Sequence, residues 1–560
     1  MRRHAMSRLR RSTLLGLILL SVGCSAVDED ERAASQGDSD GVGDPLGPRP
    51  GVPRSPSVDA GVATRDDSEG EDEETSESSR SPDAGAPVVI SPFVDARKDP
   101  FSTFAADVDT ASYDYLRQGL QTSGTLPAPQ YVRVEDYVNY FHYDYPTPAA
   151  DAAQPFAIAL AASAHPLGRP TTLLRVGIQA KKAPPQPAKD ANLVFLVDTS
   201  GSMASPDKLP LVQRVIEASL DVLAPSTKLS IVSYAGDTTV RLKPTLVSSR
   251  DAIVQAVRGL SAGGGTNGAS GIELAYEQAQ AGLVPNGINH VILCTDGDFN
   301  LGITSNDALV KLIRTKRDSG ITLTALGFGR DNLNDAMMER VSNAGNGMYS
   351  LVYSADQAVE YANERLLSTV VHVAKDMKIQ VEFNPAHVLA YRLLGYEDRA
   401  VADDDFRDDA VDGGEVGAEH RVTALYELVL AGGALPEVPG APALSAGEAG
   451  EGAPEIAAAE LVAVKVRSKP VTARDSDPAS ETRAALTPSD VQASADQDSA
   501  WAAAVAGLAE LLRQSPYVAP GELDAIRRIL TAQASRDSDR AELVSLLGKP
   551  SVVQLLGTRK

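Results

Sequence analysis

Short apolar runs at 193–197, 291–294 and 321–326 are continuous rather than alternating, and each gives way to a segment of helical spacing. A strand apolar on both faces has to be covered on both, so these runs belong to a parallel sheet with helices on either side. The alternation holds over about 180 residues. Strands are predicted at Leu193–Asp198, Lys228–Tyr234, His290–Asp296 and Ile321–Gly327. Helices are predicted at Leu209–Leu223, Asp251–Leu260, Ile272–Ala281, Ala308–Arg317, Ala336–Ala344 and Ala355–Ala374. Further strands precede this block (Phe156–Ala161, Leu173–Gln179) and follow it (Met377–Phe383, Val388–Leu394, Ala424–Ala431, Leu461–Arg467). The fold class is therefore α/β: a doubly wound, mostly parallel, Rossmann-like domain inserted between β-sandwich-forming flanks. An N-terminal helical region and a C-terminal helical segment at 498–557, around Trp501, complete it. At 560 residues the chain exceeds what one hydrophobic core usually holds. The divisions are 1–23, 24–92, 93–190, 191–372 and 373–560, with an Ala/Gly/Pro/Glu linker at about 431–456.

The first division carries five arginines, the apolar run Leu14–Leu20 and then small residues, the order of a secretory signal peptide. It ends at Ser21-Val22-Gly23-Cys24, which resembles the bacterial lipobox and implies that Cys24 becomes a lipid-bearing N-terminus. Residues 25–92 hold seventeen acidic against five basic side chains and almost no periodic apolar content, which reads as a disordered tether. The other cysteine, Cys294, lies in the run Val-Ile-Leu-Cys-Thr and is expected to be an inert core thiol. Seven of the sixteen tyrosines fall between Tyr113 and Tyr145, a stretch with helical spacing at Ala111–Gln121 and Val132–Tyr143. They read as packed rings with wet hydroxyls rather than a stacking platform. A net charge of −23 argues against a nucleic-acid ligand, which needs clustered Lys and Arg.

Asp198-Thr199-Ser200-Gly201-Ser202 stands directly at the end of the strand 193–197, where open parallel sheets bind ligands. Thr266, in a run of glycines, and Asp296, ending a second buried strand, stand at comparable edges. The five side chains Asp198, Ser200, Ser202, Thr266 and Asp296 offer only oxygen, a hard set suited to Mg²⁺, Mn²⁺ or Ca²⁺ and poor for zinc. The glycine run lacks the Lys-Ser/Thr of a phosphate-binding loop, so no nucleotide is expected. Ser200 or Ser202 as a nucleophile needs a base, and His290 opens the strand whose far end carries Asp296, about 20 Å away at ~3.3 Å per residue. The remaining histidines have no metal-ligand spacing. The acidic run Asp403–Asp412 fits an EF-hand poorly, with Ala410 at its third position, and reads as a solvated loop.

A DxSxS loop with a distant Thr and a distant Asp resembles the von Willebrand factor type A (VWA) domain and its metal-ion-dependent adhesion site, over about 192–370. Phe101–Phe104, Asp107–Tyr113, Asn139–Phe141, Leu394–Glu397 and Val422–Glu427 resemble the flanks of a family of exported bacterial VWA proteins, the YfbK-like lipoproteins. The resemblance implies a divalent cation, Mg²⁺ first, held by Asp198, Ser200, Ser202, Thr266 and Asp296 and bridging to an Asp or Glu of a partner protein. It implies a receptor or scaffold of the cell envelope, anchored through Cys24, and not an enzyme; Ser25 rather than Asp after that cysteine favours the outer membrane. The rival expectations are an envelope protein whose metal serves only stability, and a metal-assisted hydrolase.

Overall fold

The computed structural model describes residues 88–558, apart from 106–108, 183–189, 267, 286, 298–305, 330–334, 409–412, 415, 448–453, 472 and 474–476. The leader, Cys24 and the expected tether up to residue 87 lie outside the described residues, whereas its last stretch is held, Ile90 packing beside Phe93 and Tyr517 and Ser91 donating to Glu397 at 3.2 Å.

Six strands form the central sheet, in the order Tyr349–Val352, Thr322–Phe328, Ile288–Thr295, Ala191–Asp198, Lys228–Tyr234, Thr238–Leu246. The first five run parallel and the last is antiparallel. Alternate residues of the central strand serve opposite cores. Leu193, Phe195 and Val197 pack with the helices Leu209–Ser219 and Arg250–Arg258. Val194 and Leu196 pack with Gly268–Ala281, Asn306–Arg317 and Asp335–Ala344. This is the doubly wound arrangement that two-sided apolar runs require. Two of the strands lack the signal that marks the others. Thr238–Leu246 is an edge strand without a fully buried residue and contains Pro244, which an edge tolerates. Tyr349–Val352 is only four residues long.

The last helix of this domain differs from expectation. Ala355–Glu360 passes through a π-helical turn at Tyr361–Arg365 into Leu366–Val370, and the next strand already begins at His372. That strand, His372–Phe383, pairs with both Phe101–Ala105 and Val462–Lys469, and Val462–Lys469 pairs with Ser480–Leu486. A second antiparallel sheet has the order Val94–Asp95, Val388–Leu393, Arg421–Leu430, Thr172–Ala180, Phe156–Ala164. Each sheet thus mixes strands from before and after the α/β domain, and one core, including Val176, Ile178, Tyr426, Ile379, Val381 and Val464, fills the space between them.

The helices Ala111–Thr122 and Val134–Tyr140 share a core with the C-terminal helices Gln497–Arg513, Glu522–Gln533, Ser538–Leu547 and Pro550–Gly557. Tyr113 meets Tyr140 at 4.3 Å and Phe141 at 5.1 Å between ring centroids, and Phe141 meets Trp501 at 5.1 Å. The rings are packed, but several of the hydroxyls are dry. Those of Tyr113 and Tyr137 are buried without a hydrogen-bond partner among the described residues, and Tyr143 donates to the Val138 carbonyl at 2.7 Å. The acidic loop is also tied down rather than solvated throughout: Thr103 donates to Asp403 at 2.5 Å and Lys378 to the Asp405 carbonyl at 3.2 Å.

Candidate metal site

The strand Ala191–Asp198 is buried along its whole length and lies between the strands Lys228–Tyr234 and Ile288–Thr295. The chain order reverses between it and Ile288–Thr295, so its carboxyl end opens on the crevice where ligands bind in such sheets. Asp198 ends the strand with no exposed surface. Its Oδ1 accepts from the Ser200 amide at 2.8 Å, an Asx turn that bends the chain back over the strand end. Thr199 locks the bend sideways, its amide and hydroxyl both donating to the Tyr234 carbonyl at 2.8 and 3.1 Å. The turn brings the Ser200 and Ser202 hydroxyls to 2.9 Å from each other, Ser200 buried and Ser202 exposed.

The glycine run is fastened to this loop by two backbone bonds, Gly263 amide to Thr199 carbonyl at 2.8 Å and Gly201 amide to Gly264 carbonyl at 3.1 Å. Gly264 sits at φ +89°, a left-handed conformation that disfavours a side chain. Thr266 follows two residues on, half-buried, just before the helix Gly268–Ala281. Asp296 leaves the neighbouring strand 2% exposed. Thr295, beside it, donates to Asp198 Oδ2 at 3.2 Å and accepts from the Gly297 amide at 3.2 Å. Asp198, Ser200, Ser202 and Asp296 therefore converge on adjoining strand ends, with the Thr266 loop bonded to the same turn. Asp298 lies outside the described residues.

Burial holds the Asp198 carboxyl above its ordinary range against the hydrogen bonds from Ser200, and the Asp296 charge pushes the same way as burial. Burial and then the Asp198 charge push the Tyr234 phenol well above its ordinary value. Asp198 and Asp296 on adjoining strand ends and the Ser200 and Ser202 hydroxyls offer only oxygen, the donor type a hard divalent cation takes. Among the described residues no group of three or more His, Cys, Asp and Glu is placed to hold a metal ion; the carboxylates described at this site are Asp198 and Asp296. His290 is fully buried and bonds the Thr322 hydroxyl through Nδ1 at 2.6 Å; burial and then His372 lower its pKa to about 3. Cys294 is buried, and burial pushes its thiol up.

One participant is absent from the sequence reading. Lys208 Nζ lies 2.8 Å from Asp296 Oδ2, with its side chain 15% exposed. Lys208 occupies the N-cap of Leu209–Ser219, a helix with no acidic residue in its first turn. A cation is disfavoured by the dipole at that end. A lysine there, ten residues after Asp198, was the available signal.

Three protein families match successive parts of the chain. They are von Willebrand factor over 86–175, von Willebrand factor type A domain over 192–364, and "Uncharacterized protein YfbK, C-terminal" over 368–552. The chain is similar to "Uncharacterized protein YfbK" of Escherichia coli, 41% identical over 346 residues, which are 61% of this chain and 60% of that protein. It is also similar to the inter-alpha-trypsin inhibitor heavy chain H4 of Bos taurus, 30% identical over 179 residues, 30% of this chain and 19% of that one. The chain thus matches less than two thirds of the length of either relative. A solved von Willebrand factor type A structure from Catenulispora acidiphila covers 75% of this chain and 91% of its own, at 17% identity and a TM-score of 0.39.

Proposed function

We propose, from the premise that this chain is a YfbK-like protein with a von Willebrand factor type A domain, that it is an envelope receptor or scaffold binding a partner's carboxylate through a divalent cation. The von Willebrand factor type A domain suggests protein interaction; the cation, the anchor and the acidic partner residue are our reading. The observation that carries it is the pairing of the Ser200 and Ser202 hydroxyls, 2.9 Å apart, over Asp198, with Asp296 on the adjoining strand end.

A bound Mg²⁺ supplies a positive centre with exchangeable coordination positions, one of which a carboxylate from another protein takes. Asp198 and Asp296 provide two negative charges, so a divalent ion is not over-neutralised and still attracts an anion. Ser200, Ser202 and Thr266 add neutral oxygen donors. Ser202, exposed at the rim, leaves the approach open to a protein surface. Binding rather than catalysis fits the surroundings, because the nearby amine of Lys208 is engaged by Asp296.

The leader and Cys24 support export and lipid anchoring, with the outer membrane favoured. The test is capture from envelope extract on immobilised protein in Mg²⁺. A prey released by chelator and not captured by Asp198→Ala supports the reading; capture indifferent to both overturns it. Cys24→Ser should move the protein from the membrane fraction to the soluble one.

A further inference from the structure

Lys208 is held at the site from two sides. Its ammonium donates to Asp296 Oδ2 at 2.8 Å. Its stem runs over Gly329, which follows the strand Thr322–Phe328. A Cβ at Gly329 would lie 2.6 Å from Lys208 Cε and 2.9 Å from its Cγ, and Gly329 has φ +96°. Only glycine suits that backbone and leaves room for the stem. Gly329 is itself held from outside the α/β domain, because Gln118, buried in the flanking helix Ala111–Thr122, donates from Nε2 to the Gly329 carbonyl at 3.1 Å. The same helix region is docked on the domain's edge. Asp109 accepts from the Tyr349 amide at 2.8 Å, and the Tyr115 and Tyr349 hydroxyls are 3.1 Å apart.

We propose that Lys208 is a resident counter-ion of the carboxylate pair, seated by Gly329 and braced from the flanking helix by Gln118, so that the flank sets how tightly the site takes a divalent cation. The proposal rests on the cation-site reading above. With the ammonium against Asp296, the two carboxylates carry a net charge near −1 rather than −2. An incoming divalent cation then either displaces the ammonium or binds a few ångströms from it, and both weaken its affinity. Lys208 is a positioning and tuning residue here, not a ligand. Gln118 acts one step further back by holding the carbonyl of the residue that seats the lysine stem.

Calorimetric titration of the full chain with Mg²⁺ and with Mn²⁺ tests this, comparing wild type, Lys208→Met, Lys208→Gln and Gln118→Ala, each checked for a cooperative melt. Two replacements at 208 guard against one that folds badly. Removal of the ammonium should tighten binding by about tenfold or more in both replacements. Gln118→Ala should move affinity the same way by about threefold, since a less constrained lysine leaves Asp296 more readily. Unchanged or weaker binding in both Lys208 variants, with wild type binding normally, overturns the counter-ion role and leaves the cation site standing. Unchanged affinity in Gln118→Ala overturns the part assigned to the flank. No binding by wild type or either Lys208 variant overturns both this proposal and the cation site, whereas binding that appears only without the lysine supports both.

Discussion

Arg392 donates from Nη1 to Glu510 Oε1 at 2.8 Å, joining the sandwich strand Val388–Leu393 to a helix 118 residues later in the chain. Arg169 reaches the other oxygen of Glu510 at 2.8 Å and also Glu427 at 2.8 Å, and Arg392 Nη2 pairs with Glu427 at 2.8 Å. All four side chains are at most 8% exposed. Glu510→Ala removes a carboxylate that both guanidiniums share, while Glu427 still faces both and Glu522 still pairs with Arg169 at 2.5 Å, so the loss is that of charge-assisted hydrogen bonds, about 2–3 kcal/mol. Asp221→Ala, at the exposed pair with Arg250, should cost less than about 1 kcal/mol. Urea unfolding of both variants checks this, and similar losses for the two would refute it.

Stability should peak near neutral pH. Burial lowers His142, His165, His372 and His420 to about 4 and His290 to about 3, so their contribution is full above about pH 6.5 and is lost as pH falls. Burial, then the charges of Glu397 and Asp136, raise the Glu135 carboxyl to about 7, and burial raises Asp114, Asp136 and Asp539 to about 6. Between the ordinary carboxylate range and those values these carboxyls hold more protons in the folded chain than in the unfolded one, so their contribution falls as pH rises. At Glu427 and Glu510 the sign reverses: burial pushes upward, but Arg392 and Arg169 outweigh it and hold both below the ordinary value. Their contribution is present above about pH 4.5 and is lost as the medium becomes more acidic. Melting temperature against pH should therefore be bell-shaped. Glu135→Gln, neutral at every pH, should match wild type near pH 5 and exceed it at pH 8, by an amount of order 3 kcal/mol. A variant with an unaltered upper limb would contradict the assignment.

The placement of Asp198 and Asp296 at adjoining strand ends was legible in the sequence because each closes a run of buried strand residues, with Ser200 and Ser202 in the loop that follows Asp198. The parallel core was legible for the same reason. Lys208 was not, because its role depends on where the start of Leu209–Ser219 falls relative to the end of Ile288–Thr295, a tertiary distance that no local pattern encodes. Nor was the shared core of Tyr113 and Trp501, since nothing in either helix names its partner. The edge strand Thr238–Leu246 escaped because Pro244 and lysine and arginine on an open face mask its alternation.

A cation held by Asp198 and Asp296 should stabilise the fold by mass action. At a free Mg²⁺ concentration one hundred times the Kd, the gain is about 2.7 kcal/mol. It should vanish in Asp198→Ala and persist at a lower apparent affinity in Thr266→Ala, which removes a neutral oxygen and no charge. Thermal melts with Mg²⁺ and with chelator decide the matter. Equal melting temperatures for wild type across a wide Mg²⁺ range would count against the site, and an equal gain in Asp198→Ala would place the ion elsewhere.

Cation binding should also be felt in the flanks. The helix Leu209–Ser219 starts at Lys208 and shares a core with Ala358, Tyr361, Leu366 and Val370 of the final helical stretch. That stretch contains the π-helical turn Tyr361–Arg365, an irregularity that in α-helices is frequent at functional sites. Arg365 in this turn donates to the Thr110 hydroxyl at 3.1 Å and lies 5.0 Å over the Tyr140 ring, both in the N-terminal flank. Two residues past Val370 the chain enters the sandwich strand His372–Phe383. A shift of the Asp198 loop therefore has a packed route to both flanks, provided that the final helix has two arrangements of different affinity. Hydrogen exchange over 355–383 should change between cation-free, Mg²⁺-bound and partner-bound protein, with the largest difference at Tyr361–Arg365. Identical exchange in all three states, alongside proven cation binding, would leave the site acting locally and the flanks as fixed supports.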